Sequence, residues 1–182
     1  MEVVKLLLAA RADVNQKNAD EATALHAAVR RDSLPLVDVL MEHGAEVNLA
    51  GQYGATPLYC AAAHNFTEIM ERLLEAKAHV DTQSIDGESP LYCAASKGHV
   101  RALQCLLDAR ANPDLQGIDG STPLLCAVQY GHRDTAERLV DAGADVAIPN
   151  RKGMTVEKWD REYGSRLCVE MLSSGPLRKA AR

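Results

Sequence analysis

Three evenly spaced cysteines are the residues of this sequence most able to carry chemistry. Cys60, Cys93 and Cys126 follow one another at a constant interval, a pattern that could supply thiolates to a metal or a redox pair. If each lies at one position of a stacked helical unit, neighbouring thiols are separated by about 8–10 Å, the spacing of packed helices. Disulfides need Cα atoms within about 7 Å, and zinc binds its thiolates at about 2.3 Å. We therefore expect small buried side chains, the usual role of free cysteine.

The rest of the sequence offers little to a catalytic mechanism. None of the six histidines stands at ligand spacing from a cysteine or a carboxylate, and no nucleophile is paired with a base. The twelve glycines are isolated rather than gathered in a phosphate-binding loop. Cys105 and Cys168 lie outside the constant interval, so a reactive thiol among the five stays open. We predict a protein that is not an enzyme and that needs no metal or cofactor.

Composition and charge narrow the class of protein. The chain has 182 residues, of which 47% are hydrophobic and 25% charged, and its net charge is −5. This balance predicts a soluble, folded protein and argues against nucleic-acid binding, which needs a basic surface. No apolar run reaches the roughly 20 residues of a membrane span, so we expect no membrane insertion. Ala (28) and Leu (22) dominate, which suits closely packed helices.

The start of the chain and its cysteine count predict the compartment. Glu2 and Lys5 interrupt the first apolar residues, which lack the basic region and the cleavage site of a signal peptide. Five cysteines, an odd number, are not typical of a secreted disulfide framework. We therefore expect an intracellular protein, located in the cytoplasm or in the nucleus.

The elements that position all these residues follow from a repeat with a constant period. One phrase begins with a hydroxyl residue, followed in most copies by Pro-Leu, at Thr23, Thr56, Ser89, Thr122 and Thr155. A second phrase, of the form Ala-acid-Val-Asn in its clearest copies, begins at Ala12, Ala45, Ala78, Ala111 and Ala144. Both phrases recur every 33 residues without an insertion.

Each repeat contains the local signals of two short helices. The hydroxyl residue can cap a helix, and the proline after it suits the first helical position. Asp86-Gly87 and Asp119-Gly120 are tight-turn pairs, while Gly98 and Gly131 can end the first helix in a left-handed conformation. A single helix pair cannot bury its apolar face, so neighbouring units must stack.

This pattern resembles the ankyrin repeat, which has the same period and the signature Thr-Pro-Leu-His-x-Ala. The resemblance covers Val3 to about Leu172 and implies an all-α solenoid of stacked helix–turn–helix units with β-hairpin-like tips. It divides the chain into a single array, 1–172, and a tail, 173–182. The array consists of a partial repeat, four full repeats and a capping repeat, namely 1–15, 16–48, 49–81, 82–114, 115–147 and 148–172.

Some positions depart from the pattern. Arg11, Lys77 and Arg110 stand where Gly44 and Gly143 end other units, so a non-glycine residue must adopt a left-handed conformation there, at about 1 kcal/mol each. Glu21 replaces a turn glycine, which should loosen the first full unit. In the last unit Val156, Trp159 and Tyr163 share a helical face, and we expect the charged residues on the opposite, solvent-facing side.

The resemblance also implies where a partner binds, namely at the tips and on the exposed side of each first helix. On the tips these positions are Gln52, Tyr53, Ile85, Asp86, Glu88, Ile118, Asp119, Arg151 and Lys152. On the helices they include His64, Lys97 and Tyr130. His26 fills the signature position, where a structural hydrogen bond is the ordinary role, and His99 and His132 follow the helix-ending glycines.

Three of the tip residues are bulky and apolar where turns favour polar residues. We predict that Tyr53, Ile85 and Ile118 anchor a partner, with acidic residues near the middle of the groove favouring a partner with a basic centre. The alternative is that the isoleucines pack on each other as a minor core, while Asp86 and Asp119 only form turns.

The predicted function is a non-catalytic protein–protein interaction module, a scaffold or adaptor that binds a protein or peptide in its concave groove. The alternative is a regulatory or substrate-receptor segment of a larger enzyme, such as a ubiquitin ligase or a kinase. The first apolar helix lacks the first half of its unit, which fits either a fragment of a longer array or a helix that packs on a partner. The resemblance further implies that an asparaginyl hydroxylase could modify Asn15 and Asn48.

Overall fold

The computed structural model describes residues 2–163, so the rest of the capping repeat, where we expect its second helix over 166–172, and the tail 173–182 lie outside the described residues. Within them the chain forms α-helices and turns. The helices are α1 Glu2–Ala9, α2 Ala24–Arg30, α3 Leu34–Glu42, α4 Pro57–Ala63, α5 Thr67–Glu75, α6 Pro90–Ser96, α7 Val100–Asp108, α8 Pro123–Gln129, α9 Arg133–Asp141 and α10 Val156–Tyr163. Consecutive helices from α2 to α9 form four pairs, one in each period of the repeat, so the predicted all-α solenoid is confirmed.

The first helix of each middle unit begins as its sequence predicts. The hydroxyl oxygens of Thr56, Ser89 and Thr122 accept hydrogen bonds from the backbone N–H three residues later, at 3.1–3.2 Å. Proline occupies the first helical position in α4, α6 and α8, where its missing N–H costs nothing. These short helices therefore have defined starting points.

Stacking of the units builds one continuous apolar core. Leucines at the same position of the first helices, Leu58, Leu91 and Leu124, are fully buried. Each first helix packs against the next, α4 on α6 and α6 on α8, and each second helix does the same, α5 on α7 and α7 on α9. Since each unit covers the apolar face of its neighbour, the array is held together by contacts between adjacent units.

The tips are tight turns that are linked to one another. Each turn is closed by backbone hydrogen bonds, such as those from Ser84 N–H to Glu88 O and from Gly87 N–H to Ser84 O, both at 3.0 Å. Successive tips are joined by bonds of 2.9 Å from Ile85 N–H to Tyr53 O and from Ile118 N–H to Asp86 O. Residues 2–163 contain no β-strand, so the hairpin-like tips consist of turns rather than paired strands.

The left-handed positions predicted from the sequence are confirmed. Arg11, Lys77 and Arg110 have φ angles of 63°, 67° and 65°, where glycine is the favoured residue. Glu21, which replaces a turn glycine, has a φ of 59°. Each of these residues keeps the conformation of the repeat at a cost in backbone strain.

The last helix differs from its expectation at one residue. Val156 is buried, and the rings of Trp159 and Tyr163 are stacked with centroids 4.0 Å apart. Asp160, which was expected on the solvent-facing side with the other charged residues, is buried. The expectation was wrong because residue 160 lies four positions after Val156, and residues four apart share one side of a helix.

Candidate recognition surface

An exposed apolar row runs along the tips. Tyr53, Ile85 and Ile118 expose 64%, 63% and 56% of their surface. Because backbone hydrogen bonds join Ile85 to Tyr53 and Ile118 to Asp86, these three side chains are held on one connected row. Ile85 and Ile118, which the alternative placed in a minor core, are thus more than half exposed.

Tyr53 is held at its tip in a strained backbone conformation. Its φ and ψ angles are 59° and 21°, a left-handed geometry that costs a residue with a side chain about 1 kcal/mol or more. The turn starts at Gly51, where an added Cβ would lie 3.0 Å from the His26 ring. Without a side chain at residue 51, this tip lacks the Asn or Ser oxygen that caps the turns beginning at Asn18 and Ser84.

The acidic residues of the tips differ in their availability. Glu88 is half-buried and accepts a hydrogen bond of 2.6 Å from the Tyr59 hydroxyl. The carboxylate of Asp119 accepts the N–H and the hydroxyl of Ser121, at 2.9 and 2.7 Å. Asp86 is exposed. Two of the three acids thus hold the fold in place, which weakens the argument for a partner with a basic centre.

The predicted helix positions are exposed at the ends of the first helices. His64, Lys97 and Tyr130 follow α4, α6 and α8 directly, and all three are exposed. The His64 ring is stacked on Phe66, with centroids 5.4 Å apart, and its Nδ1 lies 2.9 Å from Cys60 O. The tip residue Gln52 is also exposed.

A pocket of about 600 Å³ lies at the last tip. Its described lining residues are Ile118, Asp119, Gln129, Asn150, Arg151, Lys152, Met154, Trp159 and Tyr163. The predicted site residues Ile118, Asp119, Arg151 and Lys152 are therefore brought together. Trp159 was missed as a site residue, although it is the only tryptophan of the sequence and occupies the same repeat position as Cys126.

Comparison with known families decides what this array is. A family model for ankyrin repeats, in three copies, matches residues 1–84 and 76–150. The chain belongs to the ankyrin-repeat family. Ankyrin repeats are generally protein–protein interaction modules, and they are typically non-catalytic. No curated protein sequence matches the chain.

The cysteines of this ankyrin-repeat protein are consistent with a structural role. Cys93 and Cys126 are buried, Cys60 and Cys105 are partly buried, and all four are free thiols. Burial raises the pKa of Cys60 and Cys93, and it raises that of Cys105 to about 11 and that of Cys126 to about 12. Among residues 2–163 no group of three or more metal-binding side chains is gathered.

Histidines connect neighbouring repeats. Nδ1 of His26 accepts the Thr23 N–H at 3.2 Å, so its proton lies on Nε2, which donates to Ala55 O at 3.0 Å. Burial lowers the pKa of His26 and keeps this ring neutral. Nε2 of His99 lies 3.3 Å from Ala63 O in the preceding repeat, and Nε2 of His132 lies 3.1 Å from Ser96 O. The structural hydrogen bond expected for His26 is confirmed, and His99 and His132 contact the preceding repeat in a similar way.

The two asparagines of the second phrase also bridge repeats. Asn48 donates to Lys77 O at 3.2 Å and accepts the His79 N–H at 2.7 Å. Asn15 makes the equivalent pair of bonds with Gly44 O and Glu46 N–H. Hydroxylation of these side chains stays a prediction from the resemblance.

Separately, no helix within residues 2–163 is long and apolar enough to cross a membrane.

Proposed function

We propose that this chain is a scaffold or adaptor module that binds a protein or peptide on its concave surface, inside the cell. The observation that carries the proposal is the row of Tyr53, Ile85 and Ile118, which are each more than half exposed. Exposed bulky apolar residues on a connected row are typical of interaction sites. The proposed array is 1–172, with the repeat boundaries given by the constant step of the two phrases.

The binding mechanism that we propose is preorganisation. The tips are fixed to one another by backbone hydrogen bonds, including Arg151 N–H to Asp119 O at 2.9 Å. A receptor that is already ordered loses little conformational entropy when a partner binds.

Affinity capture with paired variants tests the proposal. The tip variant Tyr53→Ala/Ile85→Asp/Ile118→Asp removes the exposed row. The control Val3→Ala/Leu6→Asp/Leu7→Asp changes three residues of α1 that are exposed to a similar extent, at 68%, 63% and 55%. Both variants should keep the circular dichroism of the parent chain.

The amount of each captured partner, quantified by mass spectrometry, should be at least tenfold lower with the tip variant than with the parent chain. With the α1 control it should equal the amount captured by the parent chain. If both variants retain the same partners at equal levels, the tips are not the binding surface. If the partners are lost only from the α1 variant, recognition occurs on the first helix instead.

A second function is favoured by α1 itself. None of its residues is buried, and Val3, Leu6 and Leu7 form an exposed apolar face. Such a face suits packing against another domain, as in a regulatory or substrate-receptor segment of a larger enzyme, for example a ubiquitin ligase or a kinase. This second function would be identified if the parent chain and the tip variant both capture a catalytic activity that the α1 variant does not capture.

A further inference from the structure

We propose that the pocket at the last tip binds an acidic peptide segment of a protein partner, in which an apolar side chain is flanked by carboxylates. The proposal rests on the proposed function and adds the chemistry of the partner to it. The apolar side chain would enter the pocket between Ile118, Trp159 and Tyr163. The flanking carboxylates would reach Arg151 and Lys152 at its rim.

The apolar part of the pocket is built from both the tips and α10. Ile118 comes from one tip and Met154 from the base of the next, while Trp159 and Tyr163 form a stacked aromatic pair. Ile118 and Tyr163 each expose more than half of their surface. Aromatic side chains at such positions can bury a large area on binding, and a volume near 600 Å³ falls within the usual range of ligand pockets.

The charge of the pocket favours an anionic partner. Arg151 and Lys152 are exposed, and neither forms an ion pair within residues 2–163. The one carboxylate in the described lining, that of Asp119, is already bonded to Ser121. The rim therefore carries two cations against one acid that is engaged in the fold, and opposite charges across an interface set partner choice.

The chain's own last residues are a poorer match to this rim. Residues 164–182 contain one acidic residue, Glu170, and four basic ones, Arg166, Arg178, Lys179 and Arg182. A segment with three more positive than negative side chains would be repelled by Arg151 and Lys152. Charge complementarity therefore favours a separate acidic segment over this part of the chain.

Peptide binding to the full chain tests the inference. The probes are arrays of short peptides, acetylated and amidated, that each carry two Leu or Phe residues. The other positions are filled with Asp and Glu, with Lys and Arg, or with Asn and Gln. Hits are then titrated in solution by the fluorescence of Trp159, which is the only tryptophan of the chain and lines the pocket.

We expect the acidic class to bind at least tenfold more tightly than the basic class and to change the Trp159 emission. Binding should weaken with added salt, since exposed charges are screened. The variant Arg151→Glu/Lys152→Glu should lose this preference and favour the basic class. The control Lys5→Glu/Arg101→Glu, which makes the same change of charge on α1 and α7, should behave as the parent chain. Tyr163→Ala should weaken binding of the acidic class without changing which class is preferred.

Two results would overturn the inference. One is an acidic class that leaves the Trp159 emission unchanged, and the other is a charge preference that survives the reversal at Arg151 and Lys152. Either result leaves the proposed function intact if the tip variant still loses its captured partners. Conversely, acidic-peptide binding that depends on Arg151 and Lys152, while capture is indifferent to Tyr53→Ala/Ile85→Asp, which leaves Ile118 of the pocket in place, would reject the tip row alone.

Discussion

The hydroxyl of Tyr59 on α4 donates a hydrogen bond of 2.6 Å to a carboxylate oxygen of Glu88, in the turn of the following repeat. Both residues are half-buried, and burial together with this bond raises the pKa of Tyr59 well above its usual value. The phenol therefore stays protonated and able to donate. Glu88, predicted on the recognition surface, joins two neighbouring repeats.

Removing this hydroxyl should destabilise the array. We expect Tyr59→Phe to lower the free energy of unfolding by about 1–2 kcal/mol, because a half-buried carboxylate loses its partner. Urea unfolding followed by circular dichroism measures the change. Tyr53→Phe removes the same atom from an exposed ring and should stay within about 0.5 kcal/mol of the parent. Equal effects of the two substitutions would contradict the role of the bond.

Glycine at a left-handed position should stabilise the protein. Arg110 has a φ of 65°, so Arg110→Gly should raise the free energy of unfolding by about 0.5–1 kcal/mol as the steric strain is relieved. The reverse change, Gly143→Ala, should lower it by about 1 kcal/mol. A Cβ at residue 143 would meet no atom within 4 Å, so this loss reports the backbone alone. Thermal and urea unfolding should agree on both signs.

The thiols of the folded chain should react slowly. With a pKa of about 11 for Cys105 and about 12 for Cys126, only about a thousandth or less of either is thiolate at pH 8. A disulfide reagent should therefore modify the folded Cys168→Ser variant far more slowly than the same variant in urea. The substitution removes the one cysteine outside the described residues. A thiol that reacts at the same rate in both states would contradict burial.

Stability should fall in mild acid. The pKa of His26 is lowered in the folded state by burial, so the unfolded chain binds its proton first as the pH falls. The contribution of the neutral ring is present above about pH 6.5 and is lost as the pH falls through the lowered folded-state pKa. His26→Gln should reduce the loss of unfolding free energy between pH 7.5 and 5.5. Identical slopes of unfolding free energy against pH in His26→Gln and in the parent would refute the assignment.

Much of the fold was predictable because each unit of the repeat contains the same local sequence signals for its helices and turns. The hydroxyl caps at Thr56, Ser89 and Thr122 and the left-handed residues at Lys77 and Arg110 all follow from the constant step. The burial of Asp160 was missed because the charged residues of α10 were all assigned to the solvent-facing side, although residue 160 lies four positions after the buried Val156.

The candidate site was predictable only in its exposed apolar part. The sequence placed Tyr53, Ile85 and Ile118 on successive tips, where the structure shows them exposed. It could not separate Asp86 from Glu88, because their difference depends on Tyr59, which belongs to the preceding repeat and is far from Glu88 in the sequence.

Sequence alone determined the repeat, its helices and the family, because these depend on residues close together in the chain. Only the tertiary structure decided which polar groups are engaged across repeats and that Trp159 joins Arg151 and Lys152 around one pocket. Such groupings bring together residues that are far apart along the chain. They depend on how the units stack, and a local sequence pattern does not indicate the distances between stacked units.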